Sequence, residues 1–275
     1  MVALVLGSGE RVWGHETAGA ARYLGNEGVL VTLGDVKVLF DAFYADSYGS
    51  YVLVSESDRE KLMNDKPPFD GIDAIFVSHA HGDHFTAAPT LAYLRLHPDV
   101  RLFGSWQVAD SLAAATNSDD PVLKRIVPFE LQPGDTPEVV QIENLLIDVF
   151  AIPHVGGARM AAVSNLVFRV TLDGLSTVMH LGDSEIDNVL FAALQLHWDA
   201  RHTHVAFSPY WFIGNEAGER ILTDNLKADQ VIGIHVPAES VGNGDGWRNR
   251  LGGDLFTDPG ESRAVGHGHV RGGAR

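Results

Sequence analysis

Ser78-His79-Ala80-His81-Gly82-Asp83-His84-Phe85 places four metal-capable side chains within six residues. The stretch follows the apolar, β-branched run Ile72-Asp73-Ala74-Ile75-Phe76-Val77. It precedes Thr86 to Leu96, where Ala87, Leu91 and Leu94 recur at helical spacing. The local order is therefore strand, ligand loop, helix. A transition metal takes neutral imidazoles and carboxylates converging at about 2.0–2.2 Å, and a short loop gathers several of them at little ordering cost. His79 and His81, two apart on a loop leaving a strand, can reach one metal, while Asp83 and His84 are offset toward a neighbouring position. The cluster suits two sites better than one. An isolated His-x-His is commonly a polar surface loop; the fuller pattern directly after a strand is not.

Working outward, the same placement recurs. Residues 145–152 read as a strand that ends in Ile152-Pro153-His154. A hairpin over 162–171 and 175–181, turning at Asp173-Gly174, runs out through Met179-His180-Leu181-Gly182-Asp183-Ser184. The last apolar run, Gln230-Val231-Ile232-Gly233-Ile234, closes on His235. Three further ligand candidates thus sit at strand ends. Upstream, residues 28–33 and 36–41 form two β-runs joined by Gly34-Asp35, a two-residue turn. Residues 42–58 read as an aromatic loop or lid, and 59–68 as a short charged segment. Strands near 101–104, 124–129, 138–142 and 203–208 and helices near 106–115, 186–196 and 217–226 complete the pattern. Residues 1–22, with Trp13 and His15 able to pack on the body, read as a loosely held lead-in, and 257–275 as a poorly ordered tail. No linker divides the chain, so a single domain over 1–275 is expected, one two-layered body with the site at the seam.

Composition narrows the function. A formal charge of −16 repels phosphate backbones, which argues against an extended nucleic-acid or anionic-membrane surface and leaves a small-molecule substrate. The absence of cysteine removes disulfides, thiolate ligands and thiol nucleophiles, and puts any metal on the 13 histidines and the carboxylates. No apolar stretch reaches the length of a membrane span. No signal peptide is visible at Val2-Ala3-Leu4-Val5-Leu6, so a cytoplasmic location is expected. Oligomeric state is open.

Ser78-His79-Ala80-His81-Gly82-Asp83-His84 resembles the signature of the metallo-β-lactamase superfamily, and Asp41, His154, Asp183 and His235 match its remaining motifs in order from about Tyr23 to Pro237. The resemblance implies an α/β (α+β) fold, a four-layered αββα sandwich with a dinuclear site on one edge. By that mapping the first metal takes His79, His81 and His154, the second takes Asp83, His84 and His235, and Asp183 bridges both. Asp41 stands behind the ligands and holds their loop. The Gly25-Asn26-Glu27-Gly28 approach and Ser164-Asn165-Leu166-Val167-Phe168-Arg169 are most similar to the branch of ascorbate phosphate lactonase-like and N-acyl phosphatidylethanolamine phospholipase D-like hydrolases. The acidic charge and the lack of a large inserted domain argue against the RNA-processing members. Without cysteine, hydrolysis in the style of the zinc β-lactamases is not expected.

The activity so implied is metal-dependent hydrolysis of a small ester, lactone or phosphodiester. Two divalent cations, zinc first with manganese or iron also accepted by such donors, lower the pKa of a shared water from about 15.7 toward neutrality and stabilise the developing oxyanion. Asp83 can pass a proton to the leaving group, though as a ligand it is chiefly an anion. Two alternatives stand beside this: a di-iron redox protein on the same fold, and a metal-free binding protein. Arg159 can face the cleft and hold an anionic group or stay solvated. Tyr210 and Trp211, after Pro209, can line the pocket or pack helix to sheet; Tyr44, Tyr48 and Trp106 are further wall candidates. His180, His202 and His204 read as structural, His97 as a helix-end residue, and His267 and His269 as adventitious metal binders.

Overall fold

The central strands are buried on both sides, which is why their runs read as continuous apolar stretches rather than as strict alternation. In the computed structural model, which describes residues 19–266, Val29, Val31 and Leu33 face one core while Leu30 faces a second. Val36, Val38 and Phe40 join the first core and Leu39 the second.

The first sheet contains β1 (Gly19–Gly25), β2 (Gly28–Leu33), β3 (Val36–Phe40), β4 (Ala74–Val77), β5 (Arg101–Ser105) and β6 (Ile126–Phe129). The second contains β7 (Glu138–Ile142), β8 (Leu145–Ala151), β9 (Leu166–Leu172), β10 (Ser176–His180), β11 (Val205–Pro209) and β12 (Gln230–Ile234). A final strand, β13 (Ser262–Val265), returns to the first sheet. The strand orders are β13-β1-β2-β3-β4-β5-β6 and β12-β11-β10-β9-β8-β7.

Between the sheets lies the shared core, with Phe40, Phe76 and Phe103 meeting Ile147, Phe168 and Phe207. Helices α1 (Glu56–Met63), α2 (Ala87–Leu96) and α3 (Trp106–Ala114) cover the first sheet through Leu62, Leu91, Leu94, Val108 and Leu112. Over the second sheet lie α4 (Asn188–Ala193), α5 (Gln195–Asp199), α6 (Glu216–Arg220) and α7 (Gly244–Leu251), contributing Phe191, Trp198 and Trp247. Helices, sheet, sheet, helices is the expected αββα sandwich.

Direction places the site. β3, β4, β5 and β6 run parallel, as do β10, β11 and β12. β8 is antiparallel to β9 and β9 to β10, so β8 points the same way as β10. The C-terminal ends of β3, β4, β8, β10 and β12 therefore deliver Asp41, the Ser78–His84 loop, His154, Asp183 and His235 to one edge.

Several expectations are corrected. The lead-in does not extend to residue 22: β1 begins at Gly19, with Ala21 and Tyr23 in the core. Residues 257–266 are not a loose tail. Thr257 is buried, Arg248 Nη2 donates to Glu261 at 2.6 Å, and β13 pairs with β1 from Gly19↔Val265. A four-residue polar strand with one buried side chain has no periodicity to read, yet it covers the edge that β1 would otherwise expose. The charged stretch begins a helix at Glu56, capped by Ser55 Oγ accepting from Asp58 N. The helix expected over 186–196 is two short ones, and that near 217–226 passes into a π-helical turn at Ile221–Leu226. Trp13, His15, His267 and His269 lie outside the described residues.

Candidate metal centre

The loop after β4 is held from behind. Asp41, one residue past β3, accepts from Ser78 N at 2.8 Å and from Ser78 Oγ at 2.5 Å, and lies 3.0 Å from His84 Nδ1. Ser78 Oγ is 2.9 Å from His79 Nδ1. Each of these contacts fixes which ring nitrogen faces outward. Asp41 and His235 both have left-handed backbone, with φ of 38° and 59°. Strain of this kind persists where tertiary contacts over-determine a site.

Four donors converge first. His81 Nδ1 lies 3.1 Å from both His79 Nε2 and His154 Nε2, and Asp183 Oδ2 lies 3.2 Å from His154 Nε2 and 3.9 Å from His79 Nε2. A second group shares Asp183. His84 Nε2 and His235 Nε2 are 3.3 Å apart, each 3.6 Å from Asp83 Oδ2, and Asp183 Oδ1 lies 3.6 Å from His84 and 3.1 Å from His235. Donors that each reach about 2.0–2.2 Å to one tetrahedral ion stand about 3.3–3.6 Å from one another. The first group, at 3.1–3.9 Å, brackets that spacing, and the second, at 3.1–3.6 Å, lies close to it.

The charges suit a cation directly at the first group, whereas at the second the imidazoles themselves carry the positive charge that balances the carboxylates. Burial holds His79 well below its ordinary value and pulls His81 down, leaving neutral rings with lone pairs for a cation. For His84 burial acts downward, but the charge of Asp183 with the Asp41 hydrogen bond and Glu27 carries it up to about 9. His235 is likewise raised against its burial, by Asp183 first. Burial pushes Asp183 up, yet the charges of His235 and His84 hold it well below the carboxylate range. Asp83 is lowered too: the His235 hydrogen bond and the charges of His84 and His235 outweigh its burial. An Asp83 held as an anion suits a ligand more than a proton donor.

The two halves are clasped at this edge. Leu166 N donates to Ser78 O at 2.9 Å, and Val155 N donates to Asp183 O at 2.8 Å. Asn165 Oδ1 accepts from Asp183 N at 3.0 Å while its Nδ2 donates to Ile152 O, Leu181 O and Ser184 Oγ. One side chain thereby orients the loops carrying His154 and Asp183. Gly182, at φ 54°, permits the approach, since a Cβ there would stand 2.4 Å from Asn165 Oδ1 and 2.7 Å from Ser78 Cβ.

Other expectations divide. Trp211 is half-buried at this edge, edge-on to His235 at 5.3 Å, its Nε1 donating to Ser184 O at 3.0 Å; Tyr210 stacks edge-on against Trp211 and Trp247. Trp106 is exposed and lines a cavity of about 430 Å³ with Ala80, His81, Gln107, Asp110 and Val163. Tyr48 lies over the loop, its hydroxyl accepting from Gly82 N at 3.0 Å. Tyr44 is not a wall residue: it is buried and its hydroxyl donates to Val52 O at 2.7 Å. Arg159 is on an exposed turn, with no hydrogen bond or ion pair among the described residues, and does not join the donors. His180 is a core residue, stacked on Phe40, its Nε2 donating to Glu27 O at 3.0 Å. His97 caps α2. His202 pairs with exposed Asp229 at 2.8 Å, and His204 Nδ1 accepts from Thr177 N.

Sequence reasoning gave no place in the site to Tyr51, edge-on to His235 at 4.2 Å, or to the β1–β2 turn, which entered only as a likeness to the lactonase-like branch. Asn26 Nδ2 donates to Asp83 O at 2.9 Å, Asn26 O accepts from His235 N at 2.9 Å, and Glu27 is fully buried behind the donors. Burial, then the charge of Asp183, pushes the Glu27 carboxyl well above its ordinary value. The available signal was a polar pair, Asn26-Glu27, set inside an otherwise apolar hairpin.

Two sheets between helices, with His and Asp side chains gathered at one edge, define the metallo-β-lactamase fold. Residues 37–206 match the model of the family described as the Beta-lactamase superfamily domain, more than half of the chain, and the chain belongs to that superfamily. Among solved structures, the metallo-β-lactamase fold protein YhfI from Bacillus subtilis superposes with a TM-score of 0.58 at 15% identity, covering 90% of this chain and 99% of that one. CmlA, a diiron β-hydroxylase from Streptomyces venezuelae, superposes at 0.55 with 14% identity, over 92% of this chain and 55% of that one. At these identities the likeness is one of fold. A ribonuclease Z of Thermoplasma volcanium is 29% identical over 114 residues, which is 40% of this chain and 34% of that relative's length.

Proposed function

We propose that the protein is a metal-dependent hydrolase of a small ester, lactone or phosphodiester, in the manner of the lactonase-like and phospholipase D-like branch. His79, His81 and His154 hold one divalent cation, Asp83, His84 and His235 hold a second, and Asp183 spans the two. The observation that carries this reading is the shared Asp183, whose two oxygens reach the two donor groups separately at 3.2 and 3.1 Å. Two such cations supply Lewis acidity toward a carbonyl or phosphoryl oxygen and an activated water. The protein's own part is orientation. Asp41 and Ser78 hold the His79 and His84 rings, Asn165 fixes the Asp183 loop, and anionic Asp83 and Asp183 supply the negative charge that retains cations. Trp106, Val163, Trp211 and Tyr51 offer apolar walls beside the donors.

RNA is the substrate class that the partial ribonuclease Z likeness brings into view; the charge of −16 opposes an extended RNA surface. Oxidative di-iron chemistry is a second reading, favoured by the fold shared with a diiron hydroxylase and by a His/Asp set that accepts iron. The deciding experiment is metal analysis followed by an ester, lactone, phosphodiester and RNA panel on metal-reconstituted protein. Two equivalents of metal with hydrolytic turnover are expected. A folded protein that binds no metal overturns the proposal, and oxygen consumption by an iron-loaded sample without hydrolysis replaces it with the second reading.

A further inference from the structure

Glu27, in the turn between β1 and β2, is fully buried, yet neither of its carboxyl oxygens has a hydrogen-bond partner among the described residues. A buried carboxyl left unpaired is among the costliest arrangements in a folded chain, whether it is ionised or protonated. The nearest imidazoles do not relieve it. His84 Nδ1 is 3.7 Å away, but it faces Asp41 Oδ2 at 3.0 Å. His180 Nε2 is also 3.7 Å away, but it donates to the Glu27 carbonyl oxygen, while Nδ1 of the same ring accepts from Gly182 N, so that ring is neutral. What remains on the Glu27 side is Asp183 Oδ1, itself buried without a hydrogen bond, and His235. Ligand atoms of Glu27, Asp183 and His235 all lie within 4.8 Å of one another.

Resting on the dinuclear reading above, we propose that Glu27 is a further donor to the second cation, entering from the side of Asp183 and His235 and adding to Asp83 and His84. Three carboxylates with two imidazoles form a harder and more highly coordinated set than the four-donor tetrahedron typical of zinc. The second position therefore favours manganese or ferrous iron, while the first, with three histidines and one carboxylate, suits zinc. The turn Gly25-Asn26-Glu27-Gly28 becomes part of the centre, joined to it also through Asn26 and Asp83.

The test is metal titration of the full chain after chelation, with manganese and zinc in competition. Metal content is read by elemental analysis, manganese by electron paramagnetic resonance, and thermal unfolding is recorded with and without metal. Wild-type protein is expected to bind two equivalents, the second enriched in manganese. Glu27→Gln is expected to keep the first and weaken the second by about 10–100-fold, with the manganese preference lost. Its metal-free form should unfold at the same or a higher temperature than the wild type, because an unpaired carboxyl has been removed; a purely structural glutamate would move that temperature down. Glu27→Asp, which retains the charge but withdraws it, should also weaken the second equivalent, and serves alone if the Gln variant does not fold. A second equivalent bound by either variant as tightly as by the wild type overturns the proposal. Failure of the dinuclear reading is distinguishable, because it shows already in the wild type as fewer than two equivalents.

Discussion

Asp183 and Asp41 do different work on the same donors. Asp183 lies between the two groups, so Asp183→Asn removes the one charge common to both while preserving shape. The expected result is loss of turnover and of bound metal with an unchanged circular dichroism spectrum; full activity would remove the metal mechanism. His81→Ala is expected to behave likewise, since His81 Nδ1 is 3.1 Å from two of its partners. Asp41 touches the ring of His84 from behind, and Asp41→Asn should weaken metal affinity by about 10–100-fold rather than abolish binding. Competition with a chelator of known affinity checks it. At this scale the ligand loop was open to reading because its chemistry is local: His79, His81, Asp83 and His84 are close in sequence, and few other demands place those residue types after a strand. Glu27 and Asn165 were not, because each acts on segments 13 or more positions away and neither sits in a cluster of its own.

At the scale of elements, β9 is tied to the helices above it by one buried side chain. Arg169 donates from Nε to Asp148 at 2.7 Å on β8, and from Nη1 and Nη2 to the carbonyls of Trp198, Arg201 and His197, closing the C-terminal end of α5. Removing one partner of a buried pair leaves the other charge uncompensated, at a cost of about 3–5 kcal/mol. Arg201 also reaches Asp148 at 2.8 Å and retains part of the compensation. Arg169→Ala should therefore cost about 3 kcal/mol, measured as a lower urea midpoint at unchanged slope; a loss under about 0.5 kcal/mol, ordinary for a surface site, would contradict the role given to it. The hairpin from Gly28 to Phe40 was readable because its turn and apolar runs are contiguous. β13 was not, since four residues with one buried side chain become a strand only against the edge of β1.

For the molecule as a whole, the centre joins two sheets that meet along one core, with donors drawn from both. Cations bound there as proposed would stabilise the folded state by mass action, about 2.7 kcal/mol per site at a hundredfold excess over Kd. For a chain of this size that amounts to about 5 °C in Tm per site. Chelation should lower Tm by this amount and metal should restore it; a Tm indifferent to metal would mean that the gathered side chains serve packing alone. The sequence by itself determined the superfamily, the order of strands and helices around the ligand loop, and the residue types available for chemistry, because hydrophobic period, turn residues and a compact motif are local properties of the chain. Only the tertiary structure decided that β8, β10 and β12 end at the same edge as β4, that Asp183 reaches both donor groups, and that Glu27 lies unpaired behind them. Those facts depend on sheet direction and on contacts between distant segments, and sequence spacing carries no record of either.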